Sequence, residues 1–187
     1  MAKKILVATD GSDQAKDAIS LAIQLAEKQG LGLVALRVVD VDRYASEFEA
    51  VRDVVMKELG DQAKRILDDA KAQVKAAGLS LDTQVRHGDS SREIIRFAQE
   101  NDDVVMIVMG ASGRRRLGRQ LIGSTAERVV RQVGRDLPCA VAIAPSLATT
   151  PEAAIAGLAA YAGRRVALIA GGSSKGAGFA DLGRAIA

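Results

Sequence analysis

Three glycines and two hydroxyls stand at fixed spacing in the middle of this 187-residue chain: Gly110, Gly113 and the triplet Gly123-Ser124-Thr125, a G-x2-G-x9-G-[ST] pattern. An apolar run precedes them (104–109, ending at Met109) and a helix-patterned run follows (125–133). Glycines at such a junction let the backbone approach a phosphate chain. The unpaired N–H groups of a helix start, here Ser124, Thr125 and Ala126, point at the anion. The chemistry this spacing supports is nucleotide-phosphate binding.

A second cluster of polar residues, Thr9-Asp10-Gly11-Ser12, follows the apolar run 5–9. Asp10 there has two readings: it accepts hydrogen bonds from a ribose or helps hold a metal beside phosphates, or it caps the following helix together with Ser12. Arg114, Arg115, Arg116 and Arg119 lie inside the glycine-rich stretch, and Arg128, Arg131 and Arg135 follow at near-helical spacing. They read as a solvated basic surface or as charge-assisted contacts to a polyphosphate or an acidic partner. The one histidine, His87, reads as a strand-end hydrogen-bonding residue before it reads as a base. The sequence has no G-x4-G-K-[ST], no G-x-S-x-G and no Cys/His cluster at metal-ligand spacing, so P-loop hydrolysis, serine hydrolysis and a zinc site are not expected.

The elements that must position these groups alternate along the chain. Apolar runs at 5–9, 33–39, 104–109 and 139–144, and the apolar–polar alternation at 81–85, read as strands. Helical patterns occupy 12–29 (closed by Gly30), 47–77 (closed by Gly78), a stretch from a cap at Ser90 or Ser91 through Ala98, and 125–133. This order predicts an α/β fold: a doubly wound five-stranded parallel sheet with helices on both faces and ligands at the strand carboxyl ends. Composition agrees: 48% hydrophobic residues suffice for a core, and 26 basic against 23 acidic residues leave a net charge of +3. With 3% aromatics and no Trp there is no stacking platform for single-stranded nucleic acid. No apolar run reaches membrane-spanning length, Cys139 has no intramolecular partner, and a cytoplasmic protein with no nucleic-acid or membrane partner is expected.

The residues Ala8-Thr9-Asp10-Gly11-Ser12, Leu36-Arg37-Val38, and Met109-Gly110 through Ser124-Thr125 together resemble the universal stress protein family in its ATP-binding branch, over residues 1 to about 146. The resemblance implies an adenine-nucleotide site: Ala8, Thr9 and Asp10 on the ribose and adenine side, and Val38 meeting the adenine edge through its backbone. Met109, Gly110 and Gly113 would pass the ribose and phosphates, and Gly123, Ser124 and Thr125 would form the phosphate-binding turn. The ligand would be ATP, AMP or ADP, with Mg as an optional companion. It also implies a homodimer through the last strand, at Val141, Ala142, Ile143 and Ala144. The expected function is a nucleotide-responsive regulatory dimer in a stress or signalling response. The alternatives are a slow ATPase or autophosphorylating enzyme with Ser124 or Thr125 as acceptor, and a nucleotide-independent interaction module.

Residues 147–187 extend beyond the domain at 1–146. They read as a helix at 152–161 and then Arg164 to Ser174 as strand into glycine turn, which parallels Lys3 to Ser12. The readings are a truncated repeat of the first βα unit, a glycine turn (Gly172, Gly176, Gly178) of dinucleotide-binding type that lacks the neighbouring strands such a site needs, or a strand added to a sheet edge.

Overall fold

The computed structural model describes residues 2–40, 52–111, 123–136, 139–144 and 167–169. Strands and helices alternate: β1 (Lys4–Ala8), α1 (Asp13–Gln29), β2 (Gly32–Val39), α2 (Arg52–Ala76), β3 (Asp82–His87), α3 (Ser90–Glu100), β4 (Val104–Gly110), α4 (Ser124–Asp136), β5 (Ala140–Ala144) and β6 (Ala167–Ile169). Local sequence explains the helix ends. Ser12 is extended and its hydroxyl accepts from the Ala15 amide, while Gly30 closes α1 in the left-handed region at φ 65°, where a side chain would be strained.

The strands form one sheet in the order β3-β2-β1-β4-β5-β6, and each described pair is parallel. The alternation of β1 sends Ile5 and Val7 to one face and Leu6 and Ala8 to the other. Ile5 and Val7 pack with Ile19 and Ala22 of α1 and with Ala70 and Val74 of α2. Leu6 and Ala8 pack with Ile94 and Phe97 of α3 and with Val129 and Val133 of α4. Helices therefore cover both faces, as expected from the continuous apolar runs. The chain winds from β1 outward through β2 to β3, then returns to place β4 on the other side of β1. That reversal makes the carboxyl ends of β1 and β4 the switch point where a doubly wound sheet opens a crevice.

Two features differ from expectation. β3 runs two residues further, because Val38 and Val39 pair with Arg86 and His87 and draw them into the ladder. The cap of α3 is Asp89 rather than Ser90 or Ser91; its carboxylate accepts from the Arg92 amide at 3.0 Å, and Ser90 and Ser91 are the first helical residues. Beside the five expected strands stands a sixth, which agrees with the reading that adds a strand to a sheet edge. β6, from the region past residue 146, pairs with β5 in the register Val141↔Ala167, Ala142↔Leu168, Ile143↔Ile169. β6 thus lies beside Val141, Ala142 and Ile143 of the edge expected to join two copies. The rest of the extension, including the expected helix at 152–161 and the glycine turn after Ala170, lies outside the described residues.

Candidate functional site

The β1 end is built as a tight polar turn. Ala8 and Thr9 are buried, and the Thr9 amide donates to the Leu36 carbonyl at 3.0 Å, which carries the ladder with β2 one step past the strand. The Gly11 amide donates to Thr9 Oγ1 at 3.3 Å, and the Ser12 amide donates to Asp10 Oδ1 at 3.0 Å. Asp10 therefore holds the turn that launches α1, which is the structural one of its two readings. Gly11 sits at φ 78°, a conformation the turn requires.

Beside it, Met109 is paired with Ala8 across the β1–β4 ladder and is buried. Gly110 follows, and its glycine identity has a cause independent of any ligand. A Cβ at this position would lie 3.0 Å from the Cβ of Gln14, 3.1 Å from its carbonyl carbon and 3.2 Å from its oxygen. The first turn of α1 comes so close to the end of β4 that a side chain there would require one of the two to give way.

The residue after Gly110, Ala111, is fully buried, and its carbonyl accepts from the Gly123 amide at 2.7 Å. The two ends of the 112–122 segment are thereby tied together at the mouth of the crevice. Gly113, Arg114, Arg115, Arg116 and Arg119 belong to that segment, outside the described residues. Gly123 then starts α4: its carbonyl accepts from the Glu127 amide at 3.0 Å, the first i to i+4 bond of the helix. At the starts of α1 and α3, by comparison, Ser12 and Asp89 supply a side-chain oxygen to a first-turn amide. Glycine at the cap position of α4 has no side chain to do so. The Ser124, Thr125 and Ala126 amides lack intrahelical acceptors by helix geometry, and with the helix dipole they favour an anion at this end. Ser124 is exposed, Thr125 half-buried and Ala126 buried in the core.

Val38 is buried on the same face of the sheet as Ala8, Met109 and Ala126, all in one apolar cluster. The structure thus brings Ala8, Thr9, Asp10, Val38, Met109, Gly110, Gly123, Ser124 and Thr125, singled out in the sequence, to one edge of the sheet. Gly113, the remaining residue of that set, lies outside the described residues. His87 is exposed at the end of β3, two strands away from β1.

Sequence reasoning missed one pair. Besides capping α3, Asp89 accepts from the Ser91 hydroxyl at 2.6 Å and forms an ion pair at 3.5 Å with Arg128, one turn into α4. The Ser91 hydroxyl, then the Arg92 amide and the Arg128 charge, hold the Asp89 carboxyl below its ordinary value, against the opposing effect of partial burial. Asp89 links the starts of both helices on this face. The signal available in sequence was an Asp directly ahead of Ser90-Ser91, a better cap than either.

A hollow of about 490 Å³ lies at the opposite end of the strands, lined by Lys4, Asp82, Arg86, Glu100 and Asp103 among others. Its charges answer one another: Lys4 bridges Asp82 and Asp103 at 3.4 Å each, and Arg86 bridges Glu93 and Glu100. The Glu100 carboxyl is lowered chiefly by its bond from Arg86, and the Lys4 ammonium raised chiefly by Asp82. These side chains are committed to tying β1 to β3 and to the turn before β4, and β3 to α3, and the glycine pattern lies at the other end. Among the described residues no group of three metal-ligating side chains occurs, and no helix is long and apolar enough to cross a membrane.

Comparison with known proteins bears on this geometry. Residues 1–145 match the model of the universal stress protein family. A universal stress protein of Methanocaldococcus jannaschii is 33% identical over 130 residues, covering 69% of this chain and 76% of the relative. The solved structure of the universal stress protein UspA from Lactobacillus plantarum is similar at a TM-score of 0.65 and 29% identity, covering 76% of this chain and 97% of that one. A universal stress protein from Archaeoglobus fulgidus, solved in complex with dAMP, shares the fold at a TM-score of 0.54 and 18% identity, covering 76% and 97%.

Proposed function

The chain belongs to the universal stress protein family, and on that premise we propose that it binds an adenine nucleotide, ATP before AMP or ADP, in the crevice between the ends of β1 and β4. The observation that carries this reading is the start of α4. A helix that begins on glycine, with its first amides uncapped by the cap residue's side chain, stands beside the switch point of a doubly wound sheet. Its cap residue is tied to Ala111 at the end of β4. Such a donor set fits phosphate oxygens. The apolar wall of Ala8, Val38 and Met109 fits a base and ribose, and the relative solved with dAMP supports the capacity of the fold for an adenine nucleotide.

Within this reading the chain's own residues position the ligand. Amides of Ser124, Thr125 and Ala126 donate to phosphate oxygens, Gly113 lets the backbone pass, and the arginines between Gly113 and Gly123 add charge-assisted contacts. Asp10 keeps the β1 turn in shape, which sets the ribose side. The role is regulatory: nucleotide occupancy changes the surface that a partner reads in a stress or signalling response, with any hydrolysis slow.

Isothermal titration with ATP tests the proposal. Saturable binding that Gly113→Val abolishes is the expected result, together with a rise in unfolding free energy of about 2.7 kcal/mol at a hundredfold ligand excess over Kd. Equal affinity in wild type and Gly113→Val, or no heat with either, would leave the interaction-module reading. Sustained steady-state turnover of ATP that is lost on Asp10→Ala would favour the enzyme reading.

A further inference from the structure

Ser124 and Arg128 stand one turn apart on an exposed stripe of α4. Side chains on a helix lean toward its start, so Arg128 lies over the turn that opens at Ser124. Across from it, at the start of α3, Asp89 divides its two oxygens between two tasks. Oδ1 accepts from the Ser91 hydroxyl at 2.6 Å and from the Arg92 amide at 3.0 Å, which holds the first turn of α3, while Oδ2 faces Arg128 at 3.5 Å. The cap and the ion pair are therefore separable. Arg128 is 66% exposed and its contact is long, so the pair is weakly held. Arg131, the next arginine on α4, is instead held by Glu127 at 2.7 Å.

We propose that Arg128 is the residue through which the crevice distinguishes a nucleotide with outer phosphates from one without, and that Asp89 is its positioning residue: the carboxylate holds the guanidinium beside the start of α4, and the β- and γ-phosphates of ATP compete for it and take it. The inference rests on the adenine-nucleotide reading of the β1–β4 crevice. In that reading the ribose lies by the β1 turn and the phosphate chain runs toward Ser124, so the outer phosphates come nearest to Arg128. AMP, whose single phosphate is next to the ribose, does not reach it. The exchange is favourable because a charge-assisted bond to a phosphate oxygen is stronger than an exposed carboxylate pair at 3.5 Å. It also leaves no orphaned carboxylate, since Asp89 keeps the Ser91 hydroxyl and the Arg92 amide after Arg128 departs.

Isothermal titration with ATP and, separately, with AMP tests this on the full chain, in wild type, Arg128→Gln, Asp89→Asn and the double variant. Asn caps a helix about as well as Asp, so Asp89→Asn removes the charge and spares the turn. Arg128→Gln is expected to weaken ATP binding about ten- to hundredfold, the worth of one charge-assisted bond, with AMP affinity within about twofold of wild type. Arg128→Lys, which keeps the charge without the planar fork, is expected between the two. Asp89→Asn is expected to tighten ATP binding about two- to fivefold, since Arg128 is no longer contested, and to leave AMP binding unchanged. In the Arg128→Gln background it is expected to change neither. The proposal is overturned if Arg128→Gln binds ATP as wild type does, if it weakens ATP and AMP alike, or if Asp89→Asn shifts ATP affinity by the same factor with and without Arg128. Uptake of neither nucleotide by wild type would be a different failure, that of the adenine-nucleotide reading itself, and would overturn this inference with it.

Discussion

Gly110→Ala is the substitution on which the geometry bears most directly. The added Cβ would stand 3.0 Å from Gln14 Cβ and 3.1 Å from Gln14 carbonyl carbon, against about 3.5–4.0 Å for a comfortable carbon–carbon contact. Two of the three atoms it meets are backbone, so no rotamer change relieves the overlap. Either α1 moves outward by roughly half an ångström or the end of β4 bends away, and Ala15, Ala18 and Ile19, all buried just beyond, resist the first. Overpacking of this kind costs about 1–3 kcal/mol. For a domain of this size each kcal/mol lowers Tm by about 2–4 °C, so a fall of roughly 2–12 °C is expected. Gly60→Ala is the matched control. Gly60 sits in α2 with nothing within 4 Å of the position a Cβ would take, so the same chemical change there removes backbone freedom without a clash and raises stability by about 0.5–1 kcal/mol. Calorimetry on the two variants, without ligand, reads both signs. If Gly110→Ala melts with or above the parent while Gly60→Ala behaves as stated, the close approach of α1 to β4 is not what excludes a side chain at 110.

Gly123→Asp should separate folding from binding: a carboxylate at the cap of α4 satisfies a first-turn amide and complements the dipole, raising stability by about 0.3–1 kcal/mol, while lowering ATP affinity at least about tenfold by competing for the same donors; titration alongside calorimetry reads both. Ser12→Ala removes the bond to the Ala15 amide and should cost about 1 kcal/mol in chemical denaturation, with the m-value unchanged. The lowered Asp89 carboxyl makes a pH-dependent contribution: it is fully present above the ordinary value of 3.8 and is lost as pH falls through the folded value below it. Denaturation of wild type and Asp89→Asn should therefore differ most at neutral pH and converge in acid; a gap that stays constant down to about pH 2 would mean the charge contributes nothing.

The elements that frame the candidate site were legible because their signals are local. Apolar runs of strand length, each followed by a turn rich in glycine and hydroxyls, placed β1 and β4, and the glycine spacing placed the start of α4. What was not legible depends on contacts distant in sequence. The close approach of Gln14, on the first helix of the chain, to Gly110 is a contact that spacing alone does not show. The Asp89–Arg128 pair joins helices that meet only through the packing of α3 on α4. β3 was placed short because its exposed edge position leaves polar Arg86 and His87 in the strand, where an apolar pattern ends too soon. Nor does the pattern of 164–170 say which edge its strand will join; that depends on β5 offering a side that β4 does not use.

The bond between the Ala111 carbonyl and the Gly123 amide has a consequence for how such a domain diversifies. With both anchor points set by the scaffold, a change in the number of residues between them weighs little on the fold. Doubling the length of a closed loop adds only about 0.6 kcal/mol of closure entropy. Insertions between the two anchors should therefore leave the sheet beneath in register.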